Sequence, residues 1–223
     1  MTKKLIILTI SVLAVISVAA QANDLPVTEW KMSSEKPLVF YISGDGGLNN
    51  FSTSLCKNIN TAGYEVTALN AKIYFWDKKS PEQTTSDIAV YLAKQLQIKA
   101  GRKFILAGYS FGSDIIPFIV NRLPEGIRKQ LVSVVLLSPS GSTDFEIHYS
   151  DMLGLSRKRS MDVVGEINRM GDQQTATIYS GGENGFPVNT ITLKNHSAEV
   201  LPGGHHFEGN ISEVANYMMK YFK

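Results

Sequence analysis

The chain has 223 residues, of which 43% are hydrophobic and 19% charged, enough for one domain with a proper core. Its formal charge is +2, and Lys3 and Lys4 account for all of it. From Asn23 onward basic and acidic side chains balance, so there is no electrostatic case for nucleic acid or for an anionic membrane surface as a partner.

The N-terminus reads as a leader. Lys3-Lys4 precede an apolar run from Leu5 to Val18, and Ala20-Gln21-Ala22 is an A-x-A cleavage site. That run falls short of the ~20 residues needed to span a bilayer. The expectation is a signal peptide over residues 1–22, a single mature domain over 23–223, and a periplasmic location. Cys56 is the only cysteine, which rules out an internal disulfide. It adjoins the apolar face of Phe51, Leu55 and Ile59 and reads as a buried structural thiol.

Asn23 to Lys36 shows little pattern. Leu38 to Ile42 reads as a strand running into Ser43-Gly44-Asp45-Gly46-Gly47. A helix over Asn49 to Ala62 and a strand over Tyr64 to Leu69 follow. Ser80-Pro81-Glu82-Gln83 is a helix start with Ser80 as N-cap, and this helix reaches about Ala100. Lys103 to Ala107 is a buried strand and Ser113 to Leu123 an apolar helix, in which Pro117 should cause a kink or cost a hydrogen bond. Leu131 to Leu137 is a continuous apolar strand, as in the middle of a parallel sheet. Gly141 to Lys158 is irregular and too short for a large lid. Asp162 to Met170 reads as a helix, Thr175 to Tyr179 and Thr190 to Leu193 as late strands, and Ser212 to Phe222 as the last helix. Strands alternating with helices predict an α/β protein with a mostly parallel sheet and helices on both faces.

Between one strand and its helix lies Gly108-Tyr109-Ser110-Phe111-Gly112. This is the G-x-S-x-G nucleophile elbow of the α/β-hydrolase fold, which holds a serine Oγ above the end of a parallel sheet. Such a serine needs a base, and the base needs an acid to orient it. In this fold the chain order is Ser, then Asp or Glu, then His. His205, directly after Gly203-Gly204 in the loop between the last strand and the last helix, is the expected base, with His206 the alternative. His148 and His196 read as surface or hydrogen-bonded histidines. Glu183, after the strand ending at Tyr179, is the expected acid, with Asp144 the alternative. The expected oxyanion-hole donors are the N–H groups of Phe111, Gly46 and Gly47. Asp45 stands in that loop as an unusual carboxylate beside a developing negative charge. Asp45, Tyr74, Trp76, Tyr109 and Asp114 are the candidate substrate-binding residues, Asp114 also suiting a helix N-terminus. Gly47 is followed by Leu48-Asn49-Asn50 rather than Gly-Lys-Ser/Thr, so the loop is no P-loop. The adjacent His205-His206 pair lacks the spacing of a helical metal site. No cofactor or metal is called for.

Five blocks in order resemble the bacterial virulence protein VirJ/AcvB family: Ser43 to Gly47, Tyr74-Phe75-Trp76, Gly108 to Asp114, Asp144-Phe145-Glu146-Ile147-His148, and Pro202 to Phe207. The resemblance spans about Pro37 to the C-terminus. It implies a periplasmic α/β-hydrolase and, for AcvB-type members, cleavage of the aminoacyl ester of lysyl-phosphatidylglycerol. VirJ-type members are also linked to type IV secretion. Two readings follow: a serine esterase acting on an acyl or aminoacyl ester of a lipid headgroup, with Asp45, Asp114, Asp144 and Glu146 available to a cationic aminoacyl group, or a non-catalytic accessory protein that binds secretion components.

Overall fold

The computed structural model describes residues 25–98, 101–148, 159–182 and 186–223. The expected signal peptide and Glu183 lie outside the described residues. The central sheet has seven strands: β1 (Val27–Trp30), β2 (Leu38–Ile42), β3 (Val66–Leu69), β4 (Phe104–Tyr109), β5 (Leu131–Leu137), β8 (Thr175–Ser180) and β9 (His196–Leu201). They stand in the order β1-β3-β2-β4-β5-β8-β9. All pair in parallel except β1, which runs antiparallel to β3. Two short strands, β6 (Ser142–Thr143) and β7 (Met161–Asp162), form a separate antiparallel pair.

Alternation along the central strands divides the core into two layers. Leu38, Phe40, Ile42, Phe104 and Leu106 face one side, where α3 (Pro81–Gln97), α4 (Phe111–Arg122) and α6 (Val163–Asn168) bury Ile88, Leu92, Ile115, Ile119 and Ile167. Val39, Tyr41, Ile105, Ala107 and Tyr109 face the other, against α1 (Asn50–Thr61) and α7 (Ile211–Met219) with Leu55, Ile59, Val214 and Met218. Cys56 is buried in that second layer, and burial pushes its thiol well above the ordinary range. Two shorter helices, α2 (Ala71–Tyr74) and α5 (Glu125–Arg128), follow β3 and α4.

Local signals set the helix starts. Ser80 Oγ accepts from Gln83 N–H at 3.1 Å and Asn49 Oδ1 from Ser52 N–H at 3.0 Å, each satisfying a donor that the first turn leaves open. α4 continues through Pro117, which lies buried within it.

Two sequence expectations need correction. Thr190 to Leu193 is not a strand: residues 188–190 form a 3-10 turn, and Ile191 and Leu193 alternate inward onto the α3/α4 layer while Asn168 Oδ1 takes the Thr192 N–H at 2.7 Å. The last strand is β9, a sheet edge whose half-buried side chains give it no apolar run. In the patternless segment before Lys36, β1 forms an edge strand that carries a carboxylate, Glu29, which accepts from the Tyr91 hydroxyl.

Gly108 and Gly112 let the elbow seat on the sheet. A Cβ on Gly112 would overlap the Ile42 carbonyl oxygen and stand 2.6 Å from that of Ser43, and a Cβ on Gly108 would stand 2.7 Å from the Gly112 backbone. Gly112→Ala is therefore expected to abolish the cooperative thermal transition seen by circular dichroism. Gly126→Ala is the control: nothing lies within 4 Å of the added methyl, and it should raise stability by about 0.5–1 kcal/mol.

Candidate active site

Ser110 joins the end of β4 to the first turn of α4 at φ 51° and ψ −121°. A non-glycine residue there costs on the order of 1–3 kcal/mol and persists only where the surroundings impose it. They do. The Ser110 N–H donates to the Leu137 carbonyl at 2.8 Å, and Ser113 Oγ donates to the same oxygen at 2.9 Å. The elbow is thus pinned to the end of β5 from one side and seated through Gly112 on the end of β2 from the other.

His205 Nε2 lies 3.0 Å from Ser110 Oγ, within the reach of proton transfer. His206, the alternative base, turns its Nδ1 to the Tyr109 hydroxyl at 2.9 Å. Of the two carboxylates considered for the acid, Asp144 is committed elsewhere: its Oδ2 lies 2.8 Å from His148 Nε2 and 4.0 Å from Arg159 Nε. The loop after β5 folds back on itself there, so that His148, four residues on, pairs with the carboxylate. His196 is a bonded histidine, with Nε2 at 2.7 Å from Thr177 Oγ1 and burial pushing its pKa down.

The oxyanion loop requires a correction. The Gly46 N–H donates to the Asp45 carboxylate at 2.8 Å and the Gly47 N–H to the Gly44 carbonyl at 2.9 Å. Both expected donors are thus engaged inside the turn. Gly44 is the residue brought to the nucleophile, since a Cβ there would stand 3.5 Å from Ser110 Cβ. Among the described residues, no acceptor faces the N–H groups of Gly44, Asp45 or Phe111. Phe111 opens α4, so its N–H belongs to the unsatisfied first turn, where the helix dipole favours negative charge. The correction also accounts for Asp45, whose carboxylate folds onto its own loop by accepting from the Gly46 N–H.

Asp114 lies one turn into α4 and is buried. Its carboxylate accepts from Ser140 N–H at 2.6 Å and pairs with Ser140 Oγ, whose hydroxyl also reaches the Ser142 carbonyl at 3.2 Å. Burial pushes its pKa from an ordinary 3.8 to about 7; the Ser140 bonds and His205 pull it down, and Asp45 pushes it up. Asp114 therefore ties α4 to the loop after β5 and does not line a binding surface, contrary to the sequence expectation.

The aromatic block divides similarly. The Tyr74 hydroxyl is turned away to Asp87 Oδ2 and Trp76 is half exposed. Phe75, between them, is fully buried and meets Phe111 at 5.1 Å and Phe145 at 5.9 Å, so it braces the residue after the nucleophile. Tyr109, expected among the substrate contacts, is also buried. The sequence reading named Gly44 only as part of the glycine-rich loop and Phe75 only as part of the aromatic block, and it passed over Ser140.

Residues 36–223 match the family described as bacterial virulence protein (VirJ). No curated protein sequence matches the chain. Its fold is similar to that of Est1E from Butyrivibrio proteoclasticus, at TM-score 0.59 and 15% identity over 87% of this chain and 90% of that one. It is likewise similar to MGS-MChE2, an α/β-hydrolase enzyme from the metagenome of sediments of the Mar Chica lagoon, Morocco, at TM-score 0.58 and 17% identity over 88% and 93%. A membrane phospholipase A described as a bacterial virulence factor superposes at TM-score 0.56 and 15% identity over 88% and 86%. The fold is that of the α/β-hydrolases.

Because its folded pKa is raised, Asp114 holds its proton more tightly in the folded chain, so its ionisation erodes stability as pH rises from about 4 to about 7. Asp114→Asn keeps the Ser140 geometry without the charge. Melting temperatures measured across pH should coincide with the parent below pH 4 and exceed it above pH 7, by on the order of 2–4 kcal/mol in stability.

Proposed function

We propose a function from one premise, that the chain belongs to the VirJ family of bacterial virulence proteins. The chain is a serine hydrolase that cleaves an ester through Ser110, with His205 as base. The observation that carries this reading is the 3.0 Å approach of His205 Nε2 to Ser110 Oγ at a strained turn on a helix N-terminus.

The chemistry runs in two halves. Ser110 Oγ attacks the ester carbonyl carbon as its proton passes to His205 Nε2. Negative charge grows on the carbonyl oxygen, where the Phe111 N–H and the Gly44 and Asp45 amides are available to receive it. His205 then returns the proton to the departing alcohol, leaving an acyl group on Ser110. Water attacks that acyl group as one of its protons passes to His205; the acyl–Oγ bond then breaks, His205 returns the proton to Ser110 Oγ, and the acid leaves. Glu183, after β8, is the proposed acid that orients His205, since Asp144 is held by His148 and Arg159.

The proposed substrate is an aminoacyl ester on a phospholipid headgroup, such as lysyl-phosphatidylglycerol. His205 is solvent-exposed, which suits a bulky substrate at an open site, and Asp45, partly exposed on the turn beside Ser110, is the acidic group placed to meet a cationic aminoacyl part. The proposed location is the periplasm, after removal of residues 1–22, on the strength of Lys3-Lys4, the apolar run and Ala20-Gln21-Ala22.

A fluorophosphonate probe is expected to label the purified mature protein. Ser110→Ala should abolish labelling, and Glu183→Gln should slow ester turnover by about 10³-fold. Absence of labelling in folded protein would overturn the hydrolase reading in favour of a non-catalytic accessory role beside secretion components. In a separate assay, a cationic aminoacyl headgroup ester should be cleaved with a kcat/KM about fivefold above that of a neutral ester of equal size, the worth of one exposed ion pair. Equal rates would remove Asp45 from substrate choice.

A further inference from the structure

The loop that carries His205 is strained. Phe207 and Glu208 have φ of 53° and 51°, and Gly203 has φ 106°. Two successive non-glycine residues in the left-handed region cost on the order of 1–3 kcal/mol each, so the surrounding structure must hold them. The ends of the loop are fixed: the Gly182 N–H donates to the Gly203 carbonyl at 2.9 Å, and Phe207 is buried and stacks on Phe51 with ring centroids 6.4 Å apart. Of the three residues between, His205 and His206 are solvent-exposed.

What reaches them is Tyr109, the residue before the nucleophile. Its ring is 3% exposed, packs on Phe51 at 4.7 Å and on His205 at 5.1 Å, and stands 3.3 Å from where a Cβ on Gly44 would lie. Its hydroxyl donates to the His205 carbonyl at 2.9 Å and lies 2.9 Å from His206 Nδ1. A phenol has one proton. A carbonyl can only accept, so that proton is spent on His205, and His206 Nδ1 must supply its own. Hydrogen-bond accounting thus fixes His206 as the Nδ1–H donor.

We infer that Tyr109 and His206 form a latch that positions the base: Tyr109 holds the His205 backbone to the elbow, and His206 orients the Tyr109 hydroxyl by donating to it. This rests on the proposed role of Ser110 and His205. The adjacent histidines then have separate tasks, His205 Nε2 meeting the nucleophile and His206 acting through Tyr109. One ring also touches the nucleophile turn, the oxyanion loop and the base loop, so its hydroxyl sets the distance between parts that the chain supplies from three separate places.

The test uses the mature protein in two measurements. With a p-nitrophenyl ester, Tyr109→Phe and His206→Ala should each lower kcat about tenfold, the worth of one hydrogen bond, with KM unchanged. The double variant should be no slower than either single one, because both break the same latch, and His206→Asn, which keeps a donor at the Nδ1 position, should recover kcat to within about threefold. Multiplying effects in the double variant, or unchanged kcat in Tyr109→Phe, would overturn the latch. The second measurement is independent of turnover: ¹⁵N-coupled NMR of the imidazoles should show His206 protonated at Nδ1 in the parent protein and shifted toward the Nε2–H tautomer in Tyr109→Phe. A parent His206 carrying its proton on Nε2 alone would overturn the latch. A parent protein with the Nδ1–H tautomer that neither turns over ester nor takes the probe would instead sink the hydrolase reading and leave the latch standing.

Discussion

The contact on which the rest of the site depends is backbone against backbone. Gly112, in the first turn of α4, lies against the carbonyls of Ile42 and Ser43 at the end of β2, with no room for a Cβ between them. That approach forces Ser110 into its left-handed conformation and delivers the Gly44 turn to within contact of the serine. The Ser110 elbow, the helix N-terminus behind it and the approach of the Gly44 turn are therefore consequences of one packing event. Burial of the strands on both faces supplies the driving force, and the strain at Ser110 is small beside it.

Electrostatics in the site are arranged by burial more than by pairing. Asp114 interacts electrostatically with both His205 and Asp45, yet the carboxylates of Asp45 and Asp114 are bonded to loop groups and not to Ser110. Asp45 spends its carboxylate on Gly46 N–H. Asp114 is sealed beneath, and its raised pKa leaves it part-neutral near pH 7, when its carboxyl O–H can donate to Ser140 Oγ while that hydroxyl donates to the Ser142 carbonyl. Asp45 is folded onto its own turn and Asp114 onto Ser140 in the loop after β5, so both carboxylates shape loops. The same holds at His205, where a strained loop is tied by the hydroxyl of Tyr109, whose ring is anchored in the core.

The general architecture was legible in the sequence because its signals are local. Continuous apolar runs marked β2, β4 and β5, the cap at Ser80 marked the start of α3, and Gly108 to Gly112 between strand and helix marked the elbow. Edge strands were not legible: β1 and β9 each have one wet side and polar residues such as Glu29 and Glu199, so neither shows an apolar run, while Thr190 to Leu193 shows alternation for a different reason, packing onto helices.

By itself the sequence determined the fold class, the serine at the elbow and a late glycine-histidine loop, since each follows from residue type and spacing along the chain. Tertiary structure alone decided which histidine meets Ser110, which amides of the Gly44 to Gly47 turn are left without a partner, and that Tyr109 and Asp114 act on loops and do not line the site. Those outcomes depend on hydrogen-bond donors and acceptors contributed from positions as much as 97 residues apart, and a donor's availability is fixed by what else has reached it in space, which no local pattern records.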